Sequence, residues 1–403
     1  MTVALDRTTR VAAAQAGAPA VLQVLPALDL GGAERGAVDV AKALARGGFR
    51  AAVASSGGRL VRELERAGAR HVELPLDRRD PFTIQANVRR LARVIEEDGF
   101  DLVHARSRAP AWSARAAARR TGRPFVTTFH GVYGTGTLLK RAYNAIMAKG
   151  DRVIAGSNFV ADHIRTRYRA DDARLRVIPR GIDTDLFDPA RVNAERLITL
   201  ARRWSLPDGA PVVMLPGRLA RWKGHALLID ALARLGRDDL VVVLVGLMGR
   251  HGAYRRELER RAIAGGLGGR IRFIEHCADM PAAYMLADVV VSASTEPEAF
   301  GRVAVEAQAM GRPVVASDHG ASAETVAAGD TGWLVPRGDA QALGAAIDAA
   351  LGLDGEARGA LAKRARERVL RLFTTELMCT RTLDLYRELL AERRTPQQRI
   401  ARS

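Results

Sequence analysis

The chain has 403 residues, 48% of them hydrophobic but only 5% aromatic, and a formal net charge of +17 carried mostly by arginine. That length allows two or three domains around a large aliphatic core, and the apolar content excludes a disordered polymer. The positive balance suits polyanionic partners (nucleic acid, acidic lipid or a phosphorylated glycolipid) without choosing among them.

Residues 1–19 are Ala-rich and aperiodic, a disordered leader without the apolar run of a signal peptide. The first strand is Val21–Pro26, followed by Gly31-Gly32 and a helix that ends near Gly47-Gly48. A glycine pair between strand and helix lets backbone approach a ligand, although an ordinary tight turn reads the same way. Alternation then continues: strand 50–54, helix 58–67, strand 70–74, helix 83–97, strand 101–104, helix 109–120 and strand 124–128. Such a rhythm predicts an α/β fold built on a doubly wound parallel sheet. His104 and His130 each close a strand at the edge where such sheets bind ligands; either could equally be a strand-end histidine bonded to backbone. Residues 106–123 and 138–152 are rich in Arg and Lys and partly amphipathic, which suits an anionic membrane surface or a solvated arginine face. Strand 151–155 leads to Ser157, a good helix N-cap, and then to Arg176–Pro189 with Arg180 in it.

A helical connector, 190–209, precedes strand 211–215, after which Arg218 and Lys223 flank a turn, so that two cations can converge on one diphosphate. Helix 225–235, strand 240–245, helix 253–264 and strand 271–274 follow, with His276-Cys277 in the next loop. The apolar run Leu240–Met248 is far too short to span a bilayer, so the protein is expected to be cytoplasmic, soluble or peripheral on the inner face of the cytoplasmic membrane. The two cysteines, Cys277 and Cys379, stand far apart with no CxxC, which gives no sign of a disulfide framework or a zinc site and fits a reducing compartment. Helix 281–286 and strand 287–292 lead to an acidic loop, a helix from about Phe300 to Met310, and a stop at Gly311 and Pro313. Glu298 and Glu306 bracket that turn beside the amides of Phe300, Gly301 and Arg302. Carboxylates there would accept hydrogen bonds from sugar or ribose hydroxyls; alternatively they are a helix-start charge and a solvated face residue. Helices 340–351, 354–371 and 374–391 close the pattern, with Arg393, Arg394, Arg399 and Arg402 in a basic tail, 392–403.

The segment from Glu298 through Glu306 to Gly311-Arg-Pro313 resembles the E-x7-E signature of retaining glycosyltransferases of family 4, group 1 type. Gly31-Gly32-Ala-Glu34, Thr128-Phe-His130-Gly131, Gly217-Arg218 with Lys223-Gly224, and Gly332-Trp-Leu-Val-Pro336 resemble further segments of that family, over residues 20–391. Two positions depart from its pattern: Arg180 stands where Asn is usual, and Arg221 where a small or acidic residue is frequent. The resemblance implies the GT-B fold, two doubly wound Rossmann-like domains facing across a cleft. One would be 20–190 plus the returning helix 374–391, and the other, the donor domain, 208–373. It implies that Arg218 and Lys223 stabilise the leaving nucleoside diphosphate, that Glu298 with Phe300, Gly301 and Arg302 holds the sugar, and that Glu306 holds the ribose. His130 would sit beside the reacting carbon, Gly31 and Gly32 at the diphosphate, and Cys277 in a loop meeting the base through main chain. His104, Arg106 and Arg180 are acceptor-side candidates. The implied reaction moves a sugar from a nucleotide-diphosphate sugar, UDP favoured, to a hydroxyl of an envelope glycan or lipid-linked acceptor, with lipopolysaccharide core the leaning. No cofactor or metal is expected, because no Asp-x-Asp motif lies in a suitable strand-end loop. A nucleotide-sugar epimerase or hydrolase on the same fold is the nearest alternative. A polyanion-binding protein is a more distant one, since no basic sheet interleaved with aromatics announces a nucleic-acid partner.

Overall fold

The computed structural model describes residues 17–29, 31–134, 136–246 and 252–400, with side chains to Arg393. The chain divides into two compact units, one running to Gly181 and resuming at Thr375, the other spanning Ile182–Thr374. Most of the leader and the side chains of the basic tail beyond Arg393 lie outside the described residues.

The first unit is a seven-stranded sheet ordered β3-β2-β1-β4-β5-β6-β7, every pair parallel. Its strands are β1 (Ala20–Val24), β2 (Arg50–Ser55), β3 (Arg70–Glu73), β4 (Leu102–Ala105), β5 (Phe125–Phe129), β6 (Arg152–Ala155) and β7 (Leu175–Val177). The central strands β1, β4 and β5 are buried at every position, as covering by helices on both faces requires. The helix Thr375–Ile400 is part of that covering: Met378, Cys379, Leu383 and Tyr386 pack into the same core as Val21, Leu44 and Ile154. It runs on through Pro396 to Ile400, beyond the end expected at 391.

The second unit is a six-stranded parallel sheet ordered β10-β9-β8-β11-β12-β13. It comprises β8 (Val212–Pro216), β9 (Val241–Val245), β10 (Ile271–Ile274), β11 (Val289–Ser292), β12 (Val314–Ser317) and β13 (Trp333–Val335). The connector expected at 190–209 is a structural part of this unit, since Ile182, Phe187, Leu200 and Trp204 lie in its core, so the boundary moves from 190 to 181. A patch of buried apolar side chains outweighs the polar surface that made the segment read as a linker. Both sheets are doubly wound and Rossmann-like. In each, the order reverses beside the unit's first strand, between β1 and β4 and between β8 and β11, and loops at such switch points are where α/β sheets take ligands.

Candidate active site

In the second unit the loops after β8 and β11 are tied together at the switch point. Gly224 makes this possible: its φ is +78°, and a Cβ there would lie 1.9 Å from the carbonyl oxygen of Ala293. The amide of Thr295 donates to the Trp222 carbonyl at 2.7 Å, which fixes the two loops in register. Lys223 therefore reaches Glu298: its Nζ donates to Glu298 Oε1, the oxygen that also accepts from Ser294 Oγ at 2.7 Å. Both charged side chains are largely buried, 17% and 15% exposed, and the ammonium lies 4.3 Å from the Trp222 ring centre. Glu298 Oε2 has no hydrogen bond among the described residues, so one carboxylate oxygen is available to a ligand hydroxyl. Arg218, on the same loop, is exposed and has no partner among the described residues.

The helix Arg302–Ala309 starts from Gly301, whose φ of +81° turns the chain into it. Phe300 is an anchor: it is 3% exposed and its ring meets Phe373 edge-on at 5.6 Å. Inside the helix, Glu306 Oε2 accepts from Tyr284 Oη at 2.8 Å and Oε1 accepts from Arg302 Nε at 3.1 Å. Burial, and next the neighbouring carboxylate, push the Tyr284 phenol well above its usual range, so it stays protonated and donates. Glu306 is thus a held carboxylate and not a solvated face residue, and Arg302 is its partner. Cys277 is half-buried against the core, and burial raises its thiol, which leaves it a neutral group.

In the first unit, the helix Gly32–Arg46 begins at the glycine pair, with Gly31 as N-cap. Arg180 and Arg106 lie along its first turns. A Cβ on Gly32 would meet Arg180 Nη2 at 3.0 Å, and one on Gly36 would meet Arg106 Nη2 at 3.0 Å. Small residues at both positions admit the two guanidiniums to the positive end of the helix, a combination that favours an anion. Arg106 is only 5% exposed; Nη1 donates to Gln23 Oε1 at 3.0 Å while Nε has no partner. His130 follows β5 and borders the same small cavity, about 20 Å³ or room for one water. Both its ring nitrogens are shielded and unbonded, and burial, then Arg180 and Arg106, hold it well below the usual imidazole range.

His104, the other strand-end histidine, borders the same cavity from inside the core. It is fully buried, with Nδ1 2.5 Å from Tyr386 Oη and Nε2 2.7 Å from Thr128 Oγ1, so its nitrogens are already used within the core. Of the two basic segments, Arg115, Arg119, Arg123 and Lys149 line one hollow, while other members go elsewhere. Arg106 turns inward, Arg108 covers the Tyr133 ring at 4.4 Å, and Leu138 and Leu139 project outward at 84% and 85% exposure. Ser294, Tyr284 and Trp222 went unmarked in the sequence. Each acts through a contact with a residue read from its motif, and Tyr284 to Glu306 has no sequence spacing that would announce it.

Residues 30–186 match the family profile described as Glycosyltransferase Family 4, and residues 199–368 match Glycosyl transferases group 1. A D-inositol 3-phosphate glycosyltransferase of Salinispora tropica is 33% identical, the alignment covering 77% of this chain and 68% of the relative. A protein of the same name from Xylanimonas cellulosilytica is 33% identical over 74% of each. The crystal structure of a glycosyltransferase from Rickettsia africae superposes with a TM-score of 0.86 at 36% identity, covering 93% of this chain and 99% of that one. Relatives that match both units, on a pair of doubly wound sheets, identify the fold as GT-B, and the chain belongs to the group 1, family 4 glycosyltransferases.

Proposed function

We propose that the protein transfers a sugar, with retention of anomeric configuration and without a metal, from a nucleoside diphosphate-sugar to a hydroxyl of an anionic acceptor. The observation that carries this reading is the Lys223–Glu298–Ser294 group beside Arg218 at the switch point of the second sheet. Arg218 and Lys223 supply fixed positive charge where the leaving diphosphate gains negative charge, the task that a divalent ion serves elsewhere. Glu298, through Oε2, accepts from a sugar hydroxyl. Glu306, oriented by Tyr284 and Arg302, accepts from the ribose. With no covalent nucleophile assigned, the acceptor oxygen attacks from the face the leaving group departs, and the departing phosphate takes its proton. His130, held neutral by burial, donates one hydrogen bond to the sugar or acceptor.

Arg106 and Arg180 at the helix start support an acceptor that carries a phosphate, as do the relatives named for D-inositol 3-phosphate. An envelope or lipid-linked glycan, such as lipopolysaccharide core, met at a membrane surface, is the second reading, supported by the exposed Leu138-Leu139 pair beside Lys140 and Arg141. No helix among the described residues is long and apolar enough to cross a membrane. The test incubates the purified protein with UDP-sugars first, then other nucleotide-sugars, and either an inositol phosphate or a lipid-linked glycan. Product linkage is read by NMR, with and without EDTA. Retention and undiminished turnover in EDTA are expected. An inverted anomer, loss of activity in EDTA, or epimerised or hydrolysed donor with no transfer would each overturn the corresponding part.

A further inference from the structure

The first unit carries a second basic concavity, at the edge of its sheet opposite the groups described above. Phe125 opens β5, Asp151 immediately precedes β6 and Arg174 immediately precedes β7, whereas His130, Gly156 and Arg180 follow the other ends of those strands. The helix Arg108–Arg120 delivers Arg115 and Arg119 to this edge, and the turn after it delivers Arg123. With Lys149, Arg174 and Arg393 they line a cavity of about 340 Å³, within the range of about 300–1,000 Å³ that small-molecule sites occupy.

Compensation within this pocket is thin. Asp151 is its one acidic lining residue, and its Oδ2 already accepts from the Phe125 amide at 2.8 Å. The remaining ion pairs are long, Arg393–Asp151 at 3.6 Å, Arg123–Asp101 at 3.7 Å and Arg174–Asp171 at 3.9 Å. The side chains of Arg115, Arg119 and Lys149 have no hydrogen-bond or ion-pair partner among the described residues. Four separate stretches of chain thus bring like charges into one hollow, an arrangement that costs folding free energy until an anion enters. Arg115, partly buried beside Arg119, is held below its usual range by desolvation and then by that neighbour, which Asp151 only partly offsets. Guanidiniums approaching from several directions match the oxygens of a phosphate better than a single carboxylate.

We propose that this pocket is a second ligand site, for a phosphate group, separate from the transfer site. The group is carried either by a soluble phosphate compound or by the headgroup of an anionic lipid, which two probes distinguish.

The experiment uses the full chain, inorganic pyrophosphate followed by calorimetry, and co-sedimentation with phosphatidylglycerol vesicles against phosphatidylcholine vesicles. It compares the wild type, Lys223→Ala to remove binding at the transfer site, and the double variant Arg119→Glu/Lys149→Glu. Both reversed residues are exposed, so the fold should hold, and an undiminished melting temperature checks it. Pyrophosphate binding that persists in Lys223→Ala and weakens at least about tenfold in the double variant is the expected result for a soluble ligand. Salt-sensitive sedimentation with phosphatidylglycerol vesicles, lost in the double variant, is the result for a lipid headgroup. Transfer activity in solution should be unchanged by the double substitution. Binding of both probes with equal strength to wild type and double variant, or of neither to the wild type, would overturn the proposal.

Discussion

Breaking the Lys223–Glu298 pair by Lys223→Met, Glu298→Gln and the two together tests the architecture of the site directly. The pair is about one-sixth exposed on each side. Two unit charges about 4 Å apart attract by about 4 kcal/mol at an effective dielectric of about 20. Desolvation offsets part of that, and leaving one member of a buried pair alone costs about 3–5 kcal/mol. Discounted for the remaining exposure, each single substitution should destabilise the second unit by about 2–3 kcal/mol. The double variant should fall short of the sum by about 2 kcal/mol, since the second substitution removes a charge already stranded. Urea unfolding followed by tryptophan fluorescence suits the measurement, because Trp204, Trp222 and Trp333, three of the four tryptophans, lie in this unit. In the transfer assay Lys223→Met should lower kcat by about 10²–10³ with a smaller change in KM, as loss of a transition-state charge partner does. A coupling energy under about 0.5 kcal/mol, the scatter of independent sites, would refute the pairing. An unchanged kcat would refute the role.

Two further outcomes follow from the buried polar groups. Tyr284→Phe removes the 2.8 Å bond that orients Glu306 and should raise the donor KM about 5- to 30-fold, the equivalent of about 1–2 kcal/mol, with kcat nearly kept; an unmoved KM would detach Glu306 from the donor. His225 is fully buried, and burial lowers it to about 4. Between that value and its ordinary 6.5 the unfolded chain binds a proton that the native one does not, so stability is lost as pH falls through this window, at up to about 1.4 kcal/mol per pH unit. His225→Phe should remove that share of the slope in denaturation curves taken from pH 7 to 4, and an identical slope would disprove it.

Much of the fold was legible because parallel strands buried on both faces must be continuous apolar runs, as Val241–Val245 is, and because glycines mark the turns between them. The motif residues were legible for the same local reason: Arg218 to Lys223 and Glu298 to Glu306 are short-range patterns. What sequence could not supply was contact across the fold. His104 and His130 end neighbouring strands and look alike in one dimension. Only the packing of Tyr386, 282 positions further on, takes up the nitrogen of the first and leaves the second unbonded. Likewise the arginines of 106–123 read as one surface. A helix whose two ends lie at opposite edges of a sheet separates Arg106 from Arg119 instead.

The return of the final helix to the first unit sets an order on biosynthesis. The first sheet is complete once β7 has been made, yet the side chains of Met378, Leu383 and Tyr386 that close its core are made only after the whole of Ile182–Thr374. At about 5–20 residues per second that interval lasts roughly 10–40 s on the ribosome. Throughout it, a nearly finished sheet displays the apolar groove that the helix will fill. The chain is therefore most vulnerable to aggregation when almost fully synthesised, and the second unit can be folded before the first.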